Sequence, residues 1–493
     1  MMNRLQIGTS IIFALIISAC SAPEQDDGQS PLKLEAVVVD GYVMRGLAYI
    51  DEKDNKIKDS FETSKANTDS SGRLSKGIDK DGADVNYCET YDSDGKLSEK
   101  CFKVVTGQSN PIIRVTGGYN KSIGEEFIGT LSIKLDVSKA RSSSSATVIS
   151  PITSLLVSVE DAAALGTTEE LTQAELNSDY LDFSSTLSAE KRLQLVKMAL
   201  QLHKSTDVIF TTLNGSYSGA FGDEGGLPSD GTPFVYEAIV ENLDTGTVDT
   251  LLTSDAGQLA VVSSSLTLLN ESATNGNVTP VSMSTSDREL VAAKGVTIST
   301  FVSNLIAAAT LPTDAVAAKA YVNARERAIE VVTALLRVNA ATDQPVVDAI
   351  NAATQNADKD TYLINLENSK FNLVSLVSKF QNGTYLSAAD ADFSNRAELN
   401  LSGSKTFGSD GTNIGLAFND DGTVELTSAL DLGGDLSVDA GLTGTVEEVD
   451  EYTSIVTFEP VPGVKQSYVV KSGDTAGSYY MDVDGELKEF TAP

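Results

Sequence analysis

Residues 51–62, within the stretch AYIDEKDNKIKDSFE, place oxygen-bearing side chains at the rhythm of a calcium loop. A twelve-residue loop of that kind takes ligands at positions 1, 3, 5, 7, 9 and 12, with glycine at 6 for the sharp turn. Those positions fall on Asp51, Lys53, Asn55, the Ile57 carbonyl, Asp59 and Glu62. A lysine ammonium only donates hydrogen bonds and cannot ligate a cation. Lys56 stands where glycine is wanted, so the turn closes only if that residue adopts a left-handed backbone. The stretch is expected to be a solvated acidic turn. Calcium held by Asp51, Asn55, Ile57, Asp59 and Glu62 is the alternative.

Other reactive types are sparse. His203 is the sole histidine. It shares one helical face with Leu193, Val196 and Leu200, where a packed or hydrogen-bonded ring is expected rather than a base. One histidine excludes multi-histidine metal sites, and no zinc helix, serine nucleophile elbow, phosphate-cradling loop or Cys-x-x-Cys pair occurs. Asp244-Thr245-Gly246-Thr247 echoes an aspartic-protease loop, but a proton-sharing dyad needs a second copy and the chain has none. Asp244 or Thr245 is expected to cap a helix instead. With no tryptophan and 6% aromatics, a sugar-stacking cleft would rest on tyrosine alone. No catalytic residue is assigned, and the chain is expected not to be an enzyme.

The N-terminus is more informative. Arg4 precedes an apolar run, Ile11 to Ala19, that is too short to span a bilayer as a helix, so an export signal is expected. Ile17-Ser18-Ala19-Cys20 resembles the lipobox of bacterial lipoproteins. The resemblance implies cleavage before Cys20, acylation of its sulfur (as by palmitate) and of its new amino group, and several chains that together anchor stably. Ser21, in place of the aspartate of inner-membrane lipoproteins, implies the outer membrane of a Gram-negative cell. Signal 1–19 and a polar tether 20–34 follow. In an oxidising compartment the remaining pair, Cys88 and Cys101, is expected to form a disulfide. A net charge of −33 keeps the surface soluble and opposes binding to nucleic acid.

At 493 residues several domains are expected. The fold class is multidomain α+β. Short β-rich runs between Gly, Asn and Asp turns indicate a β-region over 35–140. Apolar stripes at helical spacing indicate an α-helical bundle within 146–385, with helices at 188–212, 285–308, 343–356 and 370–381. Two further stripes are Val248, Leu252, Leu259, Val262, Leu266, Leu269 and Val322, Ile329, Val332, Leu336. Period-two alternation with Asp410-Gly411, Asp421-Gly422 and Gly433-Gly434 turns indicates a C-terminal antiparallel meander over 396–493, closed as a barrel or folded as a sandwich.

Asp40-Gly41-Tyr42-Val43, the acidic loop and the turn Thr68-Asp69-Ser70-Ser71-Gly72 resemble the opening of transthyretin-like, carboxypeptidase-regulatory-like domains of bacterial surface proteins. The resemblance covers 36–157 and implies a β-sandwich; its loops usually carry Asn or Asp at the third position and Gly at the sixth, unlike Lys53 and Lys56. The expected function is a non-enzymatic outer-membrane lipoprotein for adhesion, scaffolding or binding of a protein or glycan partner at the envelope. A C-terminal barrel carrying a small apolar ligand is one alternative, and a carboxylate-dependent hydrolase another. No cofactor is expected beyond the calcium alternative.

Overall fold

The computed structural model describes residues 31–337 and 399–491 apart from short gaps, the longest at 57–63, 160–170 and 217–229. The expected helices at 343–356 and 370–381 lie outside these residues, as do the signal, Cys20 and most of the tether.

The N-terminal region is built of short strands. A four-stranded antiparallel sheet runs in the order 130–134, 112–116, 47–51, 65–67. A three-stranded sheet places 36–38 between 73–74 and 147–149, the last pair parallel. Both contribute to one apolar core, with Val38, Leu74 and Ile149 from the smaller sheet meeting Ile50, Ile113 and Leu131 from the larger. Strand 147–149 therefore returns the chain, beyond the serine-rich stretch, to the sheet it began in. Strands 119–120 and 125–126 form a hairpin that also pairs with 43–44. In the Thr68–Gly72 turn, Asp69 accepts from the backbone N–H groups of Ser71 and Arg73 and from Tyr87 Oη. Gly72 sits at φ +70°, and a Cβ there would lie 2.9 Å from the Val38 carbonyl oxygen, so the turn requires glycine. Cys88 and Cys101 are joined in a disulfide.

Nine helices follow among the described residues: α1 Val137–Ser142, α2 Pro151–Leu156, α3 Gln173–Leu176, α4 Ala189–Ser216, α5 Thr232–Glu241, α6 Val248–Leu252, α7 Asp255–Asn275, α8 Thr285–Ala307 and α9 Ala315–Arg337. Ser150 caps α2 through a capping box with Thr153, and Pro151 occupies the first turn, where its missing N–H costs nothing. Helix α4 packs on α5, α8 and α9, and α7 packs on α5 and α8, burying a continuous apolar core. The stripe from Val248 to Leu269 is two helices rather than one. Thr253 Oγ1 turns back onto the Asp249 carbonyl and Ser254 Oγ accepts from Gly257 N, so adjacent hydroxyls end α6 and begin α7. The N-cap of α6 is Thr247, paired in a capping box with Thr250. Asp244 and Thr245, the expected caps, lie outside the described residues.

The C-terminal region is an eight-stranded antiparallel sheet of 403–409, 412–418, 423–426, 443–450, 453–461, 464–472, 478–483 and 486–491, each paired with the next. It curls until its first and last strands approach one another. The alternation does what a period of two must: Leu416, Phe418, Val424, Leu426, Val456, Phe458, Tyr468 and Val470 share one packed face. Within the expected meander, 437–438 pairs back with 430–431 in a side hairpin before the sheet resumes at Thr443.

Candidate functional site

The acidic loop begins where strand 47–51 ends. Asp51 Oδ2 accepts from Arg114 Nε at 2.7 Å and from Lys56 N at 2.9 Å, and Oδ1 accepts from Asn55 N at 3.1 Å. Arg114 stands two strands in, opposite Ser132 in register, and donates to Ser132 Oγ at 2.8 Å and to Asp54 Oδ1 at 3.2 Å. Its side chain is 2% exposed and that of Asp51 0%, so this is an ion pair withdrawn from water. Asp54 and Lys56 adopt φ of +51° and +64°. Lys56 therefore takes the left-handed backbone that a glycine would supply at that position. The Lys56 ammonium reaches Glu237 of α5 at 2.9 Å and lies 5.2 Å from the centre of the Phe234 ring, which ties the loop to the helices. A cavity of about 270 Å³ separates the loop from α2 and α5. The charged groups on its walls are matched internally, Arg114 with Asp54 and Lys56 with Glu237.

Of the expected calcium ligands, Asp51 and Asn55 stand in this loop, with the Asp51 carboxylate committed to a guanidinium and two backbone amides. Ile57, Asp59 and Glu62 lie outside the described residues. Among the described residues there is no group of three or more His, Cys, Asp or Glu side chains that could hold a metal ion.

A second constellation was not foreseen. Where the N-terminal sheets meet α4 and α9, seven ionisable side chains cluster almost entirely out of water: Asp40, His203, Lys204, Asp207, Glu326, Glu330 and Arg337. Lys204 Nζ lies 2.8 Å from Glu330 Oε2, and Arg337 bridges Glu330 Oε1 at 3.0 Å and Asp207. Burial pushes the Glu330 carboxyl up, but the Lys204 and Arg337 charges outweigh it and hold it at about 2. Burial likewise pushes the Lys204 ammonium down, and the surrounding carboxylates more than restore it.

His203 is fixed from three sides. Its ring stacks on Phe127 with centroids 4.9 Å apart, Nε2 lies 3.0 Å from the Ile128 carbonyl oxygen, and Nδ1 lies 2.6 Å from Asp40 Oδ2. A carbonyl oxygen only accepts, so Nε2 carries a proton and Nδ1 faces the carboxylate. Burial raises the Asp40 carboxyl, yet the facing His203 charge and hydrogen bond bring it below the ordinary carboxylate range. The two side chains are 4% and 1% exposed, and their contact ties the turn after strand 36–38 to α4.

The spacing along α9 carried a signal for this cluster. Glu326, Glu330 and Arg337 recur on the same helical side as Val322, Ile329, Val332 and Leu336, which puts charge on the buried stripe. Asp40 and Asn120 carried no comparable signal, since each is an ordinary turn or strand residue in the sequence.

The curled sheet is joined to the N-terminal region by its other face. Arg45, at φ +56°, donates from Nε to Glu447 at 2.6 Å and from its terminal nitrogens to Thr457 and Ser467. Lys471 pairs with Glu125, and Met44 and Tyr119 pack against Val449 and Ile455.

Comparison of this chain with known protein families, characterised proteins and solved structures finds no match.

Proposed function

We propose that the chain is a non-enzymatic lipoprotein of the outer membrane, anchored through acylated Cys20 and binding a protein or glycan partner at the cell envelope. The observation that carries this reading is the Ile17-Ser18-Ala19-Cys20 sequence behind a charged and apolar leader. The N-terminal sheets, on this reading, form the transthyretin-like sandwich common in surface proteins, and serve as a rigid mount for the helices and the C-terminal sheet. The buried ionic cluster supports a structural role, because its charges face one another and none is presented to a cleft. In the C-terminal sheet, Leu416, Val424 and Val456 pack against one another on the inner face, which favours a partner-binding module over a carrier.

Protease shaving of intact cells tests display. Surface exposure predicts loss of the full-length band with the outer membrane intact. A chain that survives shaving, but is digested once the outer membrane is permeabilised, faces the periplasm, and partners there would be sought by crosslinking.

A further inference from the structure

We propose that Glu326 is protonated at neutral pH and latches the 119–126 hairpin to α9, and that rising pH loosens this latch by removing the proton. Ser122 N donates to Asn120 Oδ1 at 3.0 Å, which fixes the amide oxygen toward Ser122. The amide nitrogen therefore faces Glu326 and donates to Oε1 at 2.6 Å. Ser122 Oγ lies 2.9 Å from Asn120 Oδ1 and 2.7 Å from Glu326 Oε2. A serine hydroxyl has one hydrogen, while an amide oxygen and an ionised carboxylate only accept. An ionised Glu326 would leave one of these short contacts as two facing lone pairs. A proton on Oε2 satisfies all of them: Oε2–H donates to Ser122 Oγ, Ser122 O–H to Asn120 Oδ1, and Asn120 N–H back to Oε1. Arg327, next along α9, donates to the Ser122 carbonyl at 3.3 Å and holds the hairpin from a second point.

Charge balance agrees. Four carboxyls, Asp40, Asp207, Glu326 and Glu330, face the cations Lys204 and Arg337 and the His203 ring, so a neutral Glu326 reduces the excess of negative charge. The charged groups facing Glu326 are Asp40 from the turn after strand 36–38 and Lys204 from α4; Tyr180 approaches from the segment before α4. From its own helix come Glu330 and, farther along, Arg337. Burial raises the Glu326 carboxyl, Asp40 raises it further, and Lys204 with the hydrogen bonds that Ser122 and Asn120 could give an ionised carboxylate only partly opposes them. A carboxyl raised on folding contributes stability that is complete below its unfolded value and is lost as pH rises through its folded value.

The test uses the full chain, with unfolding equilibria and backbone hydrogen exchange of residues 119–126 followed across pH for wild type and Glu326→Gln. Glutamine keeps the ring, donating to Ser122 and accepting from Asn120, but has no proton to lose. Relative to Glu326→Gln, the wild-type folding constant should fall by up to about tenfold per pH unit within the window between the unfolded and folded values. Hairpin protection should fall with it. Asp230 and Asp179 are also raised by burial, but they stay in both proteins and cancel in the comparison. Superimposable pH profiles would overturn the proposal. Should the variant fail to fold, an infrared titration of wild type beside Asp179→Asn and Asp230→Asn decides. A carboxylic-acid C=O stretch common to all three must be present at neutral pH and vanish where the fall in hairpin protection levels off, and its loss without any preceding change in protection would equally overturn the latch.

Discussion

Breaking the Arg114–Asp51 pair probes whether the loop at 51–56 is held by an internal ion pair or waits for a cation. Both side chains are withdrawn from water, at 2% and 0% exposure, so removing one partner strands the other. Arg114→Met should cost about 3–5 kcal/mol, the usual penalty for an uncompensated buried charge. Asp51→Asn should cost less, since Arg114 keeps Asp54 and Ser132, while one of the two loop amides loses its acceptor. Together the two changes leave neutral groups facing each other, and the double variant should recover roughly 2–3 kcal/mol of the summed losses. Chemical denaturation of the four proteins gives the coupling directly. Additive losses would refute the reasoning, because they would mean that the two groups do not rely on each other. The same proteins answer the calcium alternative. With Asp51 committed to Arg114, millimolar calcium should leave the wild-type melting temperature unchanged, and a clear rise that Asp51→Asn abolishes would assign the loop to the ion.

Replacing Cys88 and Cys101 together by serine opens a loop with a sequence separation of 13, and should destabilise by about 3 kcal/mol in denaturant unfolding. Thr247→Ala removes the capping box of α6 and should cost about 1 kcal/mol by the same measurement. Glu330 is depressed from an ordinary 4.5 to about 2, so its contribution is complete above the ordinary value and drains as pH falls through the folded one. Between those limits the unfolding free energy should drop by up to about 1.4 kcal/mol per pH unit for this group. Acid titration followed by circular dichroism reads it, and a flat response there would contradict the Lys204–Glu330–Arg337 arrangement.

Much of the architecture was legible because it is periodic. Helix α4 at Ala189–Ser216 and α8 at Thr285–Ala307 fall where apolar residues recur at steps of three and four. The strands at 412–418 and 423–426 fall where period two holds. Periodicity overran only where local hydroxyl chemistry intervened, at Thr253 and Ser254, or where a side hairpin left the sheet at 430–438. The joint around His203 was only half legible. A buried ring was expected from its place beside Leu200, and it is buried. Its partner Asp40 comes from a distant part of the sequence, and Asn120 and Glu326 are 206 residues apart. No local pattern marks which turn residue will meet which helix. The Lys56 backbone is the intermediate case. The sequence stated the condition, a left-handed residue at the sixth loop position, and the ion pair to Glu237 with its stacking on Phe234 accompanies a lysine that meets it.

Metabolic labelling with an alkyne fatty acid, combined with fractionation of the cell envelope, bears most directly on the proposed anchoring. Wild type should carry label and sediment with the outer membrane, and Cys20→Ser should lose the label and accumulate as the uncleaved precursor. Wild-type protein that is unlabelled and recovered in soluble form would contradict the lipoprotein reading.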